Sequence, residues 1–378
     1  MKFELRKAKL NDMSSIFHLY AGAYHGTYPD PTFSDVRKLE AAIGSKDKLI
    51  FVCTDEDGNL VASILFLYEE ETRLSKAGAA VVDPSFRGQK LTQKLIQYGL
   101  DYIQDNCAGI DVLYITTRTV HKAAQILTQQ IGFKQLGIFP NVHKTEEYET
   151  HALAAIHYNG AIDKRYVDFQ QHPIVYPLFN IVRENIELPE MKVAKIWNEK
   201  NYDGDVPVLE VIEAKEFIKL RSKKLQETNE IDLAFFPFHT PNILITSPKQ
   251  NIEVFAYVNE LDNHCVITGC KIDKEVSFTA LFLKVSNILR DRGIRYIEII
   301  IRANRLNIIE KISKAKFIPC GYVPAFQLEG EKRFDYVVFS RSYEILDFNN
   351  LQLTGASEKY LRNYIDLWEK SFLGDYFK

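Results

Sequence analysis

The residues with the clearest chemistry lie between Ala79 and Ile96, where the chain reads Ala-Ala-Val-Val-Asp-Pro-Ser-Phe-Arg-Gly-Gln-Lys-Leu-Thr-Gln-Lys-Leu-Ile. An apolar strand runs into a Pro turn, then Arg87-Gly88, then directly into a helix. The first-turn amides of such a helix have no intrahelical partner. With roughly half a positive charge from the helix dipole, they form an anion site. Arg87 adds a full charge, and Gly88 lets a ligand approach the backbone. Lys90 is either a phosphate contact or a solvated helix charge. A pyrophosphate suits such a site.

A second group is Tyr24-His25-Gly26-Thr27-Tyr28-Pro29. Aromatic rings with one His suit an amine, through cation–π contact and hydrogen bonding. The alternative is a Pro-bounded loop that packs its rings on the core. Asp83 either caps the turn that follows it or acts as a base, the cap being favoured. Metal-ligand and Ser- or Cys-nucleophile spacings do not occur.

These residues need a scaffold. The pattern predicts strand 2–7, helices from Asn11 and over 34–43, and strands 48–53, 60–68 and 77–82. Helix 88–104, strand 112–117, helix 122–131 and a strand over 150–158 complete a mixed α/β unit. A second unit repeats the order: strand 208–214, helix 214–226, strands 243–246, 254–259 and 264–272, helix 275–292, strand 296–302, helix 307–314 and strand 333–341. A shift of 184 residues lays Phe133, Gly137 and Pro140 on Phe317, Gly321 and Pro324. It also superposes the strand and helix around residue 115, which predicts a tandem repeat. Between the units a short helix spans 175–186. An amphipathic helix ends the chain over 357–372, its Tyr360, Leu361, Tyr364, Ile365 and Trp368 on one face.

Composition narrows the class. The 378 residues are 46% hydrophobic and 26% charged, which fits a globular chain of two or three domains. A net charge of −3 with no basic cluster argues against nucleic acid as a partner. No apolar run reaches the length of a membrane span, and the N-terminus lacks a signal-peptide core. Five scattered Cys fit reduced thiols and a cytoplasmic location. Twenty Tyr and 24 Phe against two Trp imply cores or pockets built from flat rings.

The stretch Val81-Val-Asp-Pro-Ser-Phe-Arg-Gly88 entering Leu91-x-x-x-Leu-Ile96, with Ile131-Gly-Phe133 some 45 residues later, resembles the GNAT superfamily of acyl-CoA-dependent N-acyltransferases. The resemblance covers 1–158 in element order and, more weakly, 208–341. It implies an α/β fold of two tandem GNAT-like mixed sheets flanked by helices, plus a C-terminal helix. The expected divisions are 1–160, a connector over 161–205, a degenerate second unit over 206–345, and the tail over 346–378.

The resemblance also implies roles. Acetyl-CoA or another acyl-CoA would be co-substrate, its diphosphate on Arg87, Gly88, Gln89, Lys90, Leu91 and Thr92. Backbone of Val81 and Val82 would pair with the pantetheine arm. The acceptor, a small-molecule amine or amino acid, would meet Tyr24, His25 and Tyr28. It would also meet Thr117 and Arg118, where the central strands splay, with Arg118 suited to a carboxylate. His121 stands where relatives often carry an Asn touching the cofactor; it is a proton-shuttling catalytic candidate or a helix cap. The family loop reads Q/R-x-x-G-x-G/A, and Lys90 and Thr92 replace its two small residues. Thr128 replaces the Tyr that serves many relatives as thiolate acid.

At the second unit the 184-residue shift lays Arg87–Thr92 on Lys271-Ile-Asp-Lys-Glu-Val276, which has no Gly and two acids. That unit is expected to lack a cofactor site. Its Phe235–Asn242 and Tyr322–Phe326 segments would line an interface or a pocket. An N-acetyltransferase is the leading reading, and a non-catalytic acyl-CoA sensor or scaffold the alternative.

Overall fold

The computed structural model of the chain describes residues 2–25, 28, 30–144, 147–195, 206–233 and 235–374. Its first half opens with β1 (Glu4–Lys7), α1 (Met13–Tyr24) and α2 (Val36–Ile43). Asp35 starts α2 by accepting the Lys38 amide. An antiparallel meander follows: β2 (Lys48–Thr54), β3 (Leu60–Glu69) and β4 (Leu74–Val82). Helix α3 (Leu91–Asn106) crosses to β5 (Val112–Arg118), parallel to β4. Helix α4 (Lys122–Ile131) then leads into the antiparallel pair β6 (Lys134–Lys144) and β7 (Tyr148–His157). The apolar stripe of α3 is buried through Leu91, Leu95, Ile96 and Ile103, where Phe51 and Phe66 share its core.

After α5 (Tyr176–Ile186) the second half begins with β8 (Glu210–Ile212) and α6 (Lys215–Glu227). Strands β9 (Ile243–Thr246), β10 (Ile252–Asn259) and β11 (His264–Ile272) form its meander. Helix α7 (Phe278–Asp291), β12 (Tyr296–Arg302), α8 (Leu306–Lys314), β13 (Ile318–Glu329), β14 (Lys332–Ser342) and α9 (Ser357–Phe372) complete it. As in the first half, one strand pair, β11 with β12, is parallel, and the other strand pairs of that half are antiparallel.

All fourteen strands join one sheet in the order β1-β2-β3-β4-β5-β7-β6-β13-β14-β12-β11-β10-β9-β8. The list reads as one half followed by the other reversed, which is the signature of a two-fold relation between them. The halves meet where Gly137 of β6 pairs with Gly321 of β13. A Cβ on Gly137 would stand 2.4 Å from the Cys320 carbonyl oxygen, so this approach requires glycine. Both joining strands were absent from the sequence expectation. Each carries a Gly and a Pro, ordinarily breakers, and each is buried on both faces, which hides the alternation.

Past the junction β6 and β13 lose register at matching places, beside left-handed Asn141 and Ala325, both at φ 53. Each strand's hairpin then reaches into the opposite half. The β13–β14 hairpin sends fully buried Arg333 to Asp111, with Nη1 2.9 Å from Oδ2. Its Nε and Nη2 bond the carbonyls of Ala325 and Phe326. The β6–β7 hairpin lies against the β10–β11 turn, where Asn263 donates to the Tyr148 hydroxyl at 3.4 Å. His157 of β7 shares its Nε2 with the Pro324 carbonyl at 2.9 Å. Helices α5 and α9 pack over both β6 and β13. The Tyr360 hydroxyl of α9 donates to the Gln135 carbonyl at 2.8 Å. The C-terminal helix therefore packs against both halves. Among the described residues no helix is long and apolar enough to cross a membrane.

Two outcomes follow from this junction. Gly137→Ala should lower stability by about 3 kcal/mol in urea titrations, because the clash is with backbone. Gly321→Ala, whose nearest neighbour is a Leu153 methyl at 3.0 Å, should cost only about 1 kcal/mol. Equal costs would contradict the junction geometry. Second, burial pushes the His157 imidazole down from 6.5 to about 4. Its neutral form is favoured in the folded state, so its contribution is present above pH 6.5 and lost as pH falls towards 4. Melting curves of His157→Gln should fall less steeply than wild type across that window, by up to about 1.4 kcal/mol per pH unit.

Candidate functional site

Strand β4 is paired with β3 along its length, but with β5 only over Leu74–Ala77 against Val112–Ile115. Beyond that point β4 and β5 part, and the β5-facing edge of 78–82 has no strand partner among the described residues. A bulge marks the parting: Ser63 pairs with Val81, yet Leu65 pairs with Gly78. The run Gly78-Ala-Ala80 has the small side chains that a bulge tolerates, and Ala79 takes φ 51. The buried Tyr20 hydroxyl donates to the Ala79 carbonyl and fixes the bulge. The Tyr20 ring is itself held by stacking on Phe33 at 3.9 Å.

The loop after β4 starts with Asp83 accepting the Ser85 amide at 2.8 Å, so this carboxylate caps the turn. Gly88 and Lys90 both adopt left-handed conformations, φ 82 and 57. Lys90 is the N-cap of α3 and makes no side-chain cap bond. A residue with a side chain thus holds the backbone shape that glycine normally supplies, at a cost of about 1–2 kcal/mol. The first amides of α3 lack a capping side chain, while Arg87, Gly88 and Lys90 are exposed beside them. Gln89 and Thr92 are half-buried, and the Leu91 side chain is in the core. Leu91 can therefore offer a ligand its amide only. Helix α3 was expected from Gly88 and begins three residues later, which lengthens the loop.

The acceptor candidates divide. Tyr24 ends α1, and His25 is its exposed, left-handed C-cap. Tyr28 packs on Tyr20, Tyr24 and Phe33 at 5.3, 4.6 and 5.9 Å, so this ring joins the aromatic core. Gly26, Thr27 and Pro29 lie outside the described residues. Alternation along β5 puts Tyr114 and Arg118 on the face turned to the second half, and Ile115 and Thr117 on the α3 face. Thr117 is thus not brought together with Arg118. Both Arg118 fork nitrogens are occupied by Glu149 of β7, at 2.6 and 2.5 Å. Burial raises the Tyr24 hydroxyl, and the Arg118 charge partly opposes it. His121 is the exposed N-cap of α4 and makes no cap bond. The Thr128 hydroxyl bonds back to the Gln125 carbonyl at 2.9 Å and is tied up within α4.

Residues that the sequence did not single out stand on the same face as Arg118. His151 of β7 faces Arg118 across the strand pair, its Nε2 3.9 Å from Glu149 Oε2. Burial, then the charges of His143, Arg118 and Lys76, push His151 well below the usual imidazole range. Lys76 lies over the Tyr114 ring at 5.8 Å, and burial lowers its ammonium despite nearby Glu298. No local motif could have revealed this group, because a hairpin and a distant half bring it together.

The second half answers the same positions differently. Strand β11 pairs with β12 only over His264–Ile267 and then parts from it, again with a bulge opposite β10. Here the chain itself enters the gap. The Cys270 amide donates to the Leu233 carbonyl at 2.8 Å, and the Asp232 amide to the Cys270 carbonyl at 2.7 Å. The Asp232 carboxylate accepts the Ile272 amide at 2.9 Å. The loop that follows is also shorter. Equivalent residues are offset by 190 at Leu74 and His264, but by 187 at the helix starts Leu91 and Phe278. The fixed 184-residue comparison was therefore misaligned here, and the counterpart of 83–90 is 273–277. Asp273 caps its turn as Asp83 does, and Ser277 caps α7 through the Ala280 amide at 3.3 Å. Among the described residues no group of His, Cys, Asp and Glu is arranged to hold a metal.

Residues 13–133, about a third of the chain, match the model of the acetyltransferase (GNAT) family. Solved structures overlap part of the chain. The ribosomal-protein-S18-alanine N-acetyltransferase of Escherichia coli is 18% identical, with TM-score 0.35, covering 41% of this chain and 94% of its own. A spermidine N-acetyltransferase of Vibrio cholerae is 18% identical, with TM-score 0.37, covering 41% and 93%. A GNAT acetyltransferase of Streptococcus pneumoniae is 13% identical, with TM-score 0.36, covering 42% and 100%. No curated protein matches the chain. With the parted β4 and β5, the bulge at Ala79 and the uncapped start of α3, residues 13–133 constitute a domain of the acetyltransferase (GNAT) family.

Proposed function

We propose that the first half binds acetyl-CoA, or another acyl-CoA, and transfers its acyl group to the amine of a small molecule. The observation that carries this reading is the open β4 edge over 78–82, continuous with the uncapped amides of α3. Backbone of Val81 and Val82 would pair with the pantetheine arm, and Gly88–Thr92 would hold the diphosphate, with Arg87 and Lys90 adding charge. The bound thioester would supply an activated acyl carbon; the chain would position it and receive the amine's proton. Because Glu149 takes up the Arg118 fork, Arg118 is better read as part of the wall than as a receptor for an acceptor carboxylate. The five free thiols suit a cytoplasmic enzyme.

The second half is proposed to bind no acyl-CoA, since residues 232–233 pair where a pantetheine arm would lie. The two halves are read as a duplicated unit, with divisions at 1–160 and 206–345. A non-catalytic sensor is the other reading, favoured by the tied-up Thr128 hydroxyl.

Calorimetry with acetyl-CoA should give one equivalent per chain. Gly88→Glu should weaken binding at least about tenfold, through left-handed strain and like charge at the diphosphate. Two equivalents, or none, would contradict the reading. CoA thiol release in the presence of primary amines separates enzyme from sensor.

A further inference from the structure

The polar residues facing Arg118 continue beyond the first half. Arg118 bonds Glu149, Glu149 lies 3.9 Å from His151, and the His151 ring is 5.0 Å from that of His143. His143 Nδ1 is 2.6 Å from Oδ2 of Asp262, a fully buried carboxylate in the β10–β11 turn of the second half. A carboxylate at that distance accepts from Nδ1–H and so fixes the tautomer, leaving the lone pair on Nε2. The His143 side chain is 28% exposed, and Nδ1 of its ring is anchored on Asp262.

A second, independent observation concerns unpaired atoms. Around this one ring, Asp262 Oδ1, His264 Nε2 and His151 Nδ1 are buried and lack hydrogen-bond partners. His264, with its ring 5.3 Å from that of His143, is 3.5 Å from Glu298 without a well-formed bond. Buried polar atoms without a partner are costly, and so call for an explanation. The two-fold relation provides an internal comparison. At the opposite crossing, Arg333 engages Asp111 and backbone carbonyls through all three guanidinium nitrogens, a purely structural latch. The crossing beside Arg118 is instead incompletely satisfied and partly open.

We propose that the second half contributes to the acyl-transfer site of the first: Asp262 is a positioning residue that holds His143, and His143 Nε2 takes the proton of the acceptor amine. The amine nitrogen forms its bond to the acyl carbon as the carbon–sulfur bond breaks. The nitrogen's proton passes to Nε2 and then to solvent, and the departing thiolate takes a proton from water. This inference rests on the acyl-transfer reading above, and its failure is separable from the failure of that reading.

The test uses the full chain, acetyl-CoA and a panel of primary amines comprising spermidine, 1,3-diaminopropane and lysine. Acetyl-CoA affinity should be unchanged within about twofold in His143→Ala, His143→Gln and Asp262→Asn, because none touches the α3 loop. Amine-dependent thiol release should fall about 100-fold in both His143 variants. It should fall at least about tenfold in Asp262→Asn, whose amide leaves the ring without its fixed tautomer. Added imidazole should restore His143→Ala but neither Asp262→Asn nor the bulkier His143→Gln. Wild-type rates in the His143 variants, or loss of rate without imidazole rescue in His143→Ala, would overturn the proposal. An absence of amine-dependent release by a wild type that still binds acetyl-CoA would overturn the acyl-transfer reading in favour of the sensor, whatever the His143 variants do. Failure of the wild type to bind acetyl-CoA would likewise overturn the acyl-transfer reading.

Discussion

A single backbone approach organises the molecule: Gly137 against Gly321, where neither strand has room for a Cβ to be added freely. That pair converts two seven-stranded sheets into one and sets the relation between their faces. Everything that crosses between halves depends on it. The hairpins can reach over only because β6 and β13 pair at the centre and then turn away at Asn141 and Ala325. Helices α5 and α9 cover the seam, and the two hairpins bridge it through Arg333 and Tyr148. Arg333 shares the Asp111 carboxylate with Arg73, at 2.9 and 2.7 Å, so removing Asp111 would leave a fully buried guanidinium without its counter-charge.

Within this near-symmetric frame the two halves use the same strand divergence for different ends. In the first, β4 parts from β5, and among the described residues no strand pairs its freed edge and no side chain of the N-cap residue caps α3. In the second, the corresponding edge is paired by Asp232 and Leu233, and Ser277 satisfies the helix start. Equal topology therefore does not imply equal chemistry; the difference lies in a few backbone donors and who bonds them. The same segment carries Phe238 onward to Tyr114, at 6.2 Å, so filling the second cleft also walls the first half's face.

Much of the frame was legible in the sequence. The helix over 122–131, the strand over 296–302 and the helix over 357–372 have clear periodicity and clear ends, and the structure has them at those residues. The two central strands were not legible. Gly137, Pro140, Gly321 and Pro324 read as breakers when considered locally, but here they permit close approach and a change of register. The strand, turn and helix start around 83–90 were legible because all three are set by local residues. Its counterpart was misaligned because a constant offset cannot register a three-residue shortening. The group around His143 was invisible for a deeper reason: Arg118, Glu149, His151 and Asp262 are assembled by sheet order and by the hairpin crossing, which no spacing encodes. The fork of Arg118, which residue type alone suggested was free for a carboxylate, is already occupied.

The central claim is that one half, and one half only, receives the acyl-CoA. Amide hydrogen exchange, followed with and without acetyl-CoA, tests it most directly. The account predicts slowed exchange in the amides of 78–82 and 88–94, with those of 268–280 unchanged. Protection in the second segment, or none in the first, would contradict it.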